Sequence, residues 1–400
     1  MDIGFEGGFE VPKECVNTSL HQDWVYSESS RKVRLRPTRF KIIFANDIKP
    51  SAKKALEQYR RIQGETIPYY LDSIVNLVNA HKTGKTVFPE YADVVIGGFP
   101  CQDFSVSGKR LGFSSNKNHD GSYIVEPAPT IENRGQLYIW MKEVIEIVKP
   151  KVFIAENVKG LVSLKDVKEI IQSDMRSANG NGYVVVEGRV LNAAKHGVPQ
   201  ARERVFFFGF LKSALTQDAL DALQSDKILP DFDPFPEPTH QLKNEDTHGL
   251  LPIVTCKKAL EGLVEPHDSK DLSQQKYSRA KFLSNGSQGQ KEINLHDVAP
   301  TIRAEHHGNI EFRRLSAEHG GRNIEELAKG LPERRLSVRE CARLQTFPDE
   351  YEFVIEDEND KSKNLSASES YKLIGNAVPP LLAYHIAQNL QKKWNIYFGE

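Results

Sequence analysis

Between about residues 40 and 210 the chain alternates short apolar runs with helically spaced ones: "FKIIFAND", "SAKKALEQYR", "ADVVIGGFP", "QLYIWMKEVIEIVK", "PKVFIAENV", "GYVVVEGRVLNA" and "RVFFFGFL". Few folds accommodate that rhythm. It predicts an α/β unit, doubly wound about a mostly parallel sheet, with helices covering both faces. In "QLYIWMKEVIEIVK" the residues Leu137, Trp140, Met141, Val144, Ile145 and Val148 recur at three- and four-residue spacing, so one helix face is expected on the sheet. After Phe210 the rhythm stops. Proline-rich and polar stretches such as "LPDFDPFPEPTH" run to about residue 335, and "EDENDKSKNLSASES" then precedes a helical tail containing "VPPLLAYHIAQNL". The chain thus divides into a unit over 1–212, a smaller irregular domain with a hinge over 213–367, and a helix over 368–400 returning to the first unit.

With 400 residues and 39% hydrophobic content, the chain can bury a large core. Cys15, Cys101, Cys256 and Cys341 are far apart in sequence and form no C-x-x-C pair, which argues against a disulfide framework and a zinc site. No signal-like start or membrane-length apolar run is present, and a cytoplasmic protein with no membrane partner is expected. The formal net charge of -1 gives no bulk attraction to polyanions, so such a partner needs a local basic patch.

The stretch "DVVIGGFPCQDFSVSGKR" sets Cys101 just past an expected strand end, where open α/β sheets carry ligands and reacting groups. Lys109 and Arg110 come soon after it. A thiol near positive charge is a candidate nucleophile; the alternative is a small buried apolar side chain at a strand end. "PKVFIAENV" sets Glu156 and Asn157 at a second strand end, and "HGVPQARERVFFFGF" sets Gln200, Arg202 and Arg204 ahead of a third strand. If that third strand runs antiparallel to its neighbours, its arginines reach the same rim as the thiol and the carboxyl.

These three pieces in this order, with "RRLSVRECARLQTFPD" and "YKLIGNAVPP" after them, resemble the cytosine-5 DNA methyltransferases from residue 2 to about 390. The resemblance implies transfer of a methyl group from S-adenosylmethionine to C5 of cytosine in a short duplex DNA sequence. By the same resemblance Cys101 adds to C6 of a flipped base, Glu156 of the E-N-V motif serves N3, and Arg202 and Arg204 brace the acid and the flipped base or backbone. Pro100 shapes the turn, and Asn157 completes the motif. For the cofactor, Asp47 matches the acid on the ribose hydroxyls, Asp72 the residue facing the adenine amine, Leu137 a pocket wall, and Asn376 with Val378 the part brought in by the tail. Lys109, Arg110, Lys117 and Gln200 are assigned to DNA, as are Thr301 and Arg303 of "APTIRA" in the irregular segment, which matches the target-recognition region. A cognate restriction endonuclease is the implied genetic partner, and a monomer is expected.

One departure stands out. The family begins with a strand and a glycine-rich turn, whereas "MDIGFEGGFEVP" matches only the family's sequence beyond that turn. A start codon assigned too late or a shortened, inactive DNA-binding protein would each account for this. A relative acting on transfer RNA is a further alternative. The basic run Arg31, Lys32, Arg34, Arg36 and Arg39 is either an insertion touching DNA or a solvated loop.

Overall fold

The runs "VFIAENV" and "ERVFFFGFL" are apolar on both faces, which suits strands covered by helices on both sides. In the computed structural model, which describes residues 1–99, 137–163, 167–243, 245, 247–284, 289–304 and 310–400, they form the middle of the main sheet. The strands up to that point are β1 (Glu10–Pro12), β2 (Val25–Glu28), β3 (Lys32–Leu35), β4 (Ala45–Asp47), β5 (Tyr69–Leu71), β6 (Val94–Gly98), β7 (Val152–Val158), β8 (Tyr183–Val185), β9 (Arg189–Asn192) and β10 (Glu203–Leu211). The main sheet has the order β6-β7-β10-β8, with β9 also paired to β10. β6 and β7 are parallel, while β10 runs antiparallel to β7, β8 and β9. Four strands therefore point one way and β10 alone is reversed. β4 and β5 make a separate parallel pair. Phe206, Phe207, Phe208 and Phe210 of β10 are all fully buried, alternating between the two faces. Gly209 sits among them because a Cβ there would lie 2.0 Å from the Phe153 ring.

The main helices are α1 (Asp2–Glu6), α2 (Pro50–Ile62), α3 (Ile74–Lys82), α4 (Leu137–Val148), α5 (Val167–Arg176), α6 (Gln217–Gln224), α7 (Val338–Leu344), α8 (Ala367–Asn376) and α9 (Pro380–Phe398). The apolar stripe expected on α4 is divided. Met141 and Ile145 pack with the sheet residues Phe153, Ala155 and Phe207, whereas Leu137, Trp140, Val144 and Val148 pack with Val75 and Val78 of α3. α9 starts on Pro380 at its first turn and is apolar on nearly all sides over its first half, so it is a core helix. α1 lies against it so closely that a Cβ on Gly4 would meet the Pro380 carbonyl at 2.2 Å.

The basic run near the start folds into a three-stranded antiparallel sheet, β1-β3-β2. Its cations are held within the chain: Lys32 pairs with Asp349 at 2.6 Å, Arg34 with Glu10 at 3.5 Å, Arg31 with Glu261 at 3.7 Å, and Arg36 donates to the Asp23 carbonyl at 3.0 Å. The run is thus partly docked: Lys32 and Arg34 are half-buried, while Arg31, Arg36 and Arg39 are exposed.

The later strands are short: β11 (His240–Gln241), β12 (Leu251–Pro252), β13 (Phe312–Arg314) and β14 (Arg334–Arg335). Among the described residues, no helix is long and apolar enough to cross a membrane.

Candidate active site

The reversal of β10 brings the expected rim together. In the β10–β7 register Arg204 faces Val158 and Phe206 faces Glu156, and in the β6–β7 register Gly98 faces Glu156. Arg204, Glu156 and the end of β6 thus share one edge. The Arg204 Nε lies 3.0 Å from Glu156 Oε1, and both side chains are largely buried. Glycine at 98 leaves room for this carboxyl, since a Cβ there would come within 3.2 Å of Glu156 Oε2. Burial drives the Glu156 pKa above the ordinary carboxylate value; Arg204, Arg202 and the chain's amino terminus oppose that rise without cancelling it. A carboxyl of this kind keeps its proton to higher pH than an ordinary one and can donate it.

Asn157 is 1% exposed, and its Nδ2 donates to the Phe99 carbonyl at 3.2 Å, while its Oδ1 accepts from the Val158 amide at 2.8 Å. It fixes the backbone one residue before Pro100 and two before Cys101. Pro100, Cys101, Lys109, Arg110 and Lys117 lie outside the described residues. The other three cysteines, Cys15, Cys256 and Cys341, are buried, and burial raises each thiol's pKa, to about 12 at Cys256. A thiol held protonated is a poor nucleophile, which leaves Cys101 as the candidate.

Arg202 acts on Glu156 by its charge and hydrogen-bonds to backbone. It is fully buried, and its Nη1 and Nη2 donate to the carbonyls of Ile302 at 3.0 Å and Gly375 at 2.7 Å. Arg202 therefore joins the start of β10 to the "APTIRA" stretch and to the end of α8, and its charge also acts on Glu156. Gln200, expected on DNA, is also fully buried. Its amide oxygen accepts from the Ile302 amide at 3.2 Å and its Nε2 donates to Gln345 Oε1 at 3.3 Å, so its polar atoms are engaged inside the protein. Thr301, expected in the groove, spends its hydroxyl on the Ala201 carbonyl at 2.5 Å. Arg303 lies two residues on, at a half-buried position. Gln345 also donates to the carbonyls of Ile374 and Ala377; sequence reasoning missed it, and its only signal there is its place in "RLQTFPD".

Asp47 and Asp72 stand at the carboxyl ends of the neighbouring parallel strands β4 and β5, where Asp47 faces Leu71 in register. Asp47 Oδ1 accepts from the Lys49 amide at 2.9 Å, and burial raises the pKa of this acid. Asp72 is exposed and accepts from the Ser73 amide and from Asn76 Nδ2. Asn46 locks the two strand ends by donating to the Tyr70 and Asp72 carbonyls, both at 2.8 Å. Asn376 is exposed at the end of α8. Leu137, expected as a pocket wall, and Val378, expected in the part brought in by the tail, are buried at 8% and 5% exposure and belong to the hydrophobic core.

The C-5 cytosine-specific DNA methylase family model matches residues 31–392. The chain is 31% identical to the Type II methyltransferase M.BspRI of Lysinibacillus sphaericus, over 98% of this chain and 78% of the relative. It is 30% identical to the Type II methyltransferase M.NgoFVII of Neisseria gonorrhoeae, over 87% of this chain and 80% of the relative. Among solved structures it resembles a DNA modification methyltransferase encoded within an E. coli prophage, with a TM-score of 0.54, 19% identity, and coverage of 89% of this chain and 94% of the other. It also resembles the S. pombe Dnmt2 methyltransferase, with a TM-score of 0.51, 16% identity, and coverage of 88% and 91%. These structural likenesses establish the fold.

Proposed function

Because the chain belongs to the C-5 cytosine-specific DNA methylase family, we propose that it methylates C5 of cytosine in one short duplex sequence and protects that sequence from a cognate endonuclease. The irregular segment within 213–367 is the target-recognition part, and the units over 1–212 and 368–400 carry the chemistry and the cofactor. The observation supporting this reading most strongly is Glu156: a buried carboxyl with a raised pKa, flanked by Gly98 and braced by Arg204, at the strand edge from which the chain runs on to Cys101.

C5 of cytosine is a weak nucleophile. Addition of the Cys101 sulfur to C6 forms an S–C bond and pushes the ring electrons toward N3 and C5. Glu156 meets that charge by giving its proton to N3, which makes C5 electron-rich. Once C5 has been alkylated, a water molecule takes the C5 proton, the C6–S bond breaks to release the Cys101 thiolate and restore the aromatic ring, and the N3 proton returns to Glu156. The target base is swung out of the duplex to reach these groups, at a cost of about a few kcal/mol.

The strand-end residues fit S-adenosylmethionine. Asp47 offers carboxylate acceptors for vicinal hydroxyls, Asp72 an exposed acid one strand over, and Asn376 an exposed amide. When bound, this cofactor supplies an electrophilic methyl group. Gln200, Arg202 and Thr301 serve the reaction indirectly, by fastening the recognition segment to the catalytic edge.

The reading is tested by incubating the protein with methyl-labelled S-adenosylmethionine and either duplex DNA or transfer RNA. Label is expected in DNA at one sequence, and none with Cys101→Ala. Label in transfer RNA alone, or in neither, overturns it.

A further inference from the structure

Four buried or half-buried arginines, Arg313, Arg314, Arg334 and Arg335, meet where β13 pairs with β14. Three of them have carboxylate partners. Arg313 pairs with Glu326, Arg314 with Glu326 and Glu265, and Arg334 with Glu265 and with Glu340 at 2.7 Å. Arg335 differs. It is 1% exposed, and among the described residues its hydrogen-bond partners are all backbone carbonyls: Ala280 at 2.8 Å through Nε, Lys281 at 3.2 Å through Nη2, and Gly289 and Ile310 through Nη1. Its guanidinium also lies 4.0 Å from the centre of the Phe312 ring.

A guanidinium hydrogen-bonded only to carbonyls is costly to bury; the charges of Glu311 and Glu333, which do not bond to it, offset part of that cost. Burial pulls its pKa down from the ordinary value. What the arrangement provides is geometry: one rigid fork holds backbone from three separate places in the chain. The segment it grips, "RAKFL", presents Arg279 and Lys281 to solvent, two residues apart, and Lys291 is exposed just beyond the gripped Gly289. Among the described residues no carboxylate pairs with Arg279 or Lys281; Arg279 donates to the Tyr277 hydroxyl at 2.5 Å and lies 4.0 Å from the centre of its ring, whereas Lys32 and Arg34 of the β1-β3-β2 sheet face carboxylates. Glu311 reinforces the clamp by accepting from the Lys291 amide at 3.1 Å, and Gln290 does so by accepting from the Leu283 amide at 2.6 Å.

We propose that Arg335 is a positioning residue for DNA engagement: by clamping the carbonyls of Ala280, Lys281, Gly289 and Ile310 it holds Arg279, Lys281 and Lys291 as one basic edge against the DNA backbone. This rests on the reading of the irregular segment as the recognition part.

The test measures duplex affinity by fluorescence anisotropy at a series of salt concentrations, with steady-state methyl-transfer kinetics and thermal melting alongside. The exposed double variant Arg279→Gln/Lys281→Gln is expected to flatten the slope of log affinity against log salt by about 1.8, at about 0.9 per lost phosphate contact. Its KM for DNA rises and its kcat stays. Arg335→Met is expected to flatten the slope and raise KM although Arg279 and Lys281 are intact, with Arg335→Lys intermediate. Should Arg335→Met fail to fold, Arg335→Lys decides. A wild-type slope in the double variant overturns the basic edge. A lowered melting temperature with unchanged slope and KM in the Arg335 variants reduces Arg335 to a structural role. Wild-type protein that binds no duplex overturns the functional reading itself.

Discussion

Two buried glutamates beside arginines titrate in opposite directions. Glu156 meets Arg204 at 3.0 Å, yet burial outweighs that attraction and its pKa rises. Glu340 is equally enclosed, and burial again acts to raise its pKa. It takes two hydrogen bonds from Arg334, at 2.7 and 2.8 Å, and one from the Ser337 amide at 2.8 Å, and the net shift is downward. Glu265, shared by Arg314 and Arg334, is pulled to about 2. The difference lies in how completely the charged form is hydrogen-bonded. An acid left short of partners is a proton donor; an acid saturated with them is a structural tie. The β7 strand end and the region around β14 use the same residue pair to opposite electrostatic effect.

Exchanging each acid separates the two roles. Glu156→Gln is expected to lower methyl transfer by about 10²–10⁴-fold, as for loss of a general acid, with little change in melting. Glu340→Ala is expected to do the reverse. Removing one partner of a buried pair costs about 3–5 kcal/mol, read by denaturant unfolding, while kcat per folded molecule is retained. Arg204→Met removes charge that opposes the raised pKa of Glu156. The alkaline limb of its rate profile is expected at higher pH than in wild type, and a misplaced acid lowers kcat by about 10²-fold.

The pH dependence divides along the same line. Glu156 acts protonated, so methyl transfer declines as pH rises through its elevated pKa, and the residual activity of Glu156→Gln is expected to lack that limb. Glu340 and Glu265 have lowered pKa values. Their stabilisation is present in full above the unfolded carboxylate value of 4.5 and is lost as pH falls through their lowered pKa values, about 2 for Glu265. Melting temperatures should therefore fall below about pH 4.5, less steeply in Glu340→Ala. The smallest effect is expected at Lys159–Glu203, a 2.9 Å pair near the same rim whose side chains are 57% and 39% exposed. Lys159→Ala is expected to change unfolding by about 0–1 kcal/mol, which shows that distance alone does not set the strength of a pair.

The alternation of runs over residues 40–210 made the α/β class legible, because strand and helix periodicities are local properties of the sequence. The convergence of Glu156 and Arg204 was legible too, once the strand beginning at Glu203 was allowed to run backwards. Gln200 and Arg202 were not legible as internal ties, for a different reason. Their partners Ile302, Gln345 and Gly375 lie 100 to 173 residues away, and no local pattern records such ties. Leu137 stands on an apolar stripe that fits a pocket wall as well as a core, and only the packing of α3 against α4 decides between them. The basic run at 31–39 looked available because its counter-charges at Asp349 and Glu261 come from distant parts of the chain.

The most direct test is covalent trapping. Duplex DNA carrying 5-fluorocytosine at the site methylated by wild type is incubated with S-adenosylmethionine and protein, and the adduct is mapped by mass spectrometry. A stable complex through Cys101, absent from Cys101→Ala and formed much more slowly by Glu156→Gln, is the expected result. Protein that methylates ordinary cytosine at that site but forms no bond through Cys101, or forms it as fast without the Glu156 carboxyl, would contradict the division of labour between these two residues.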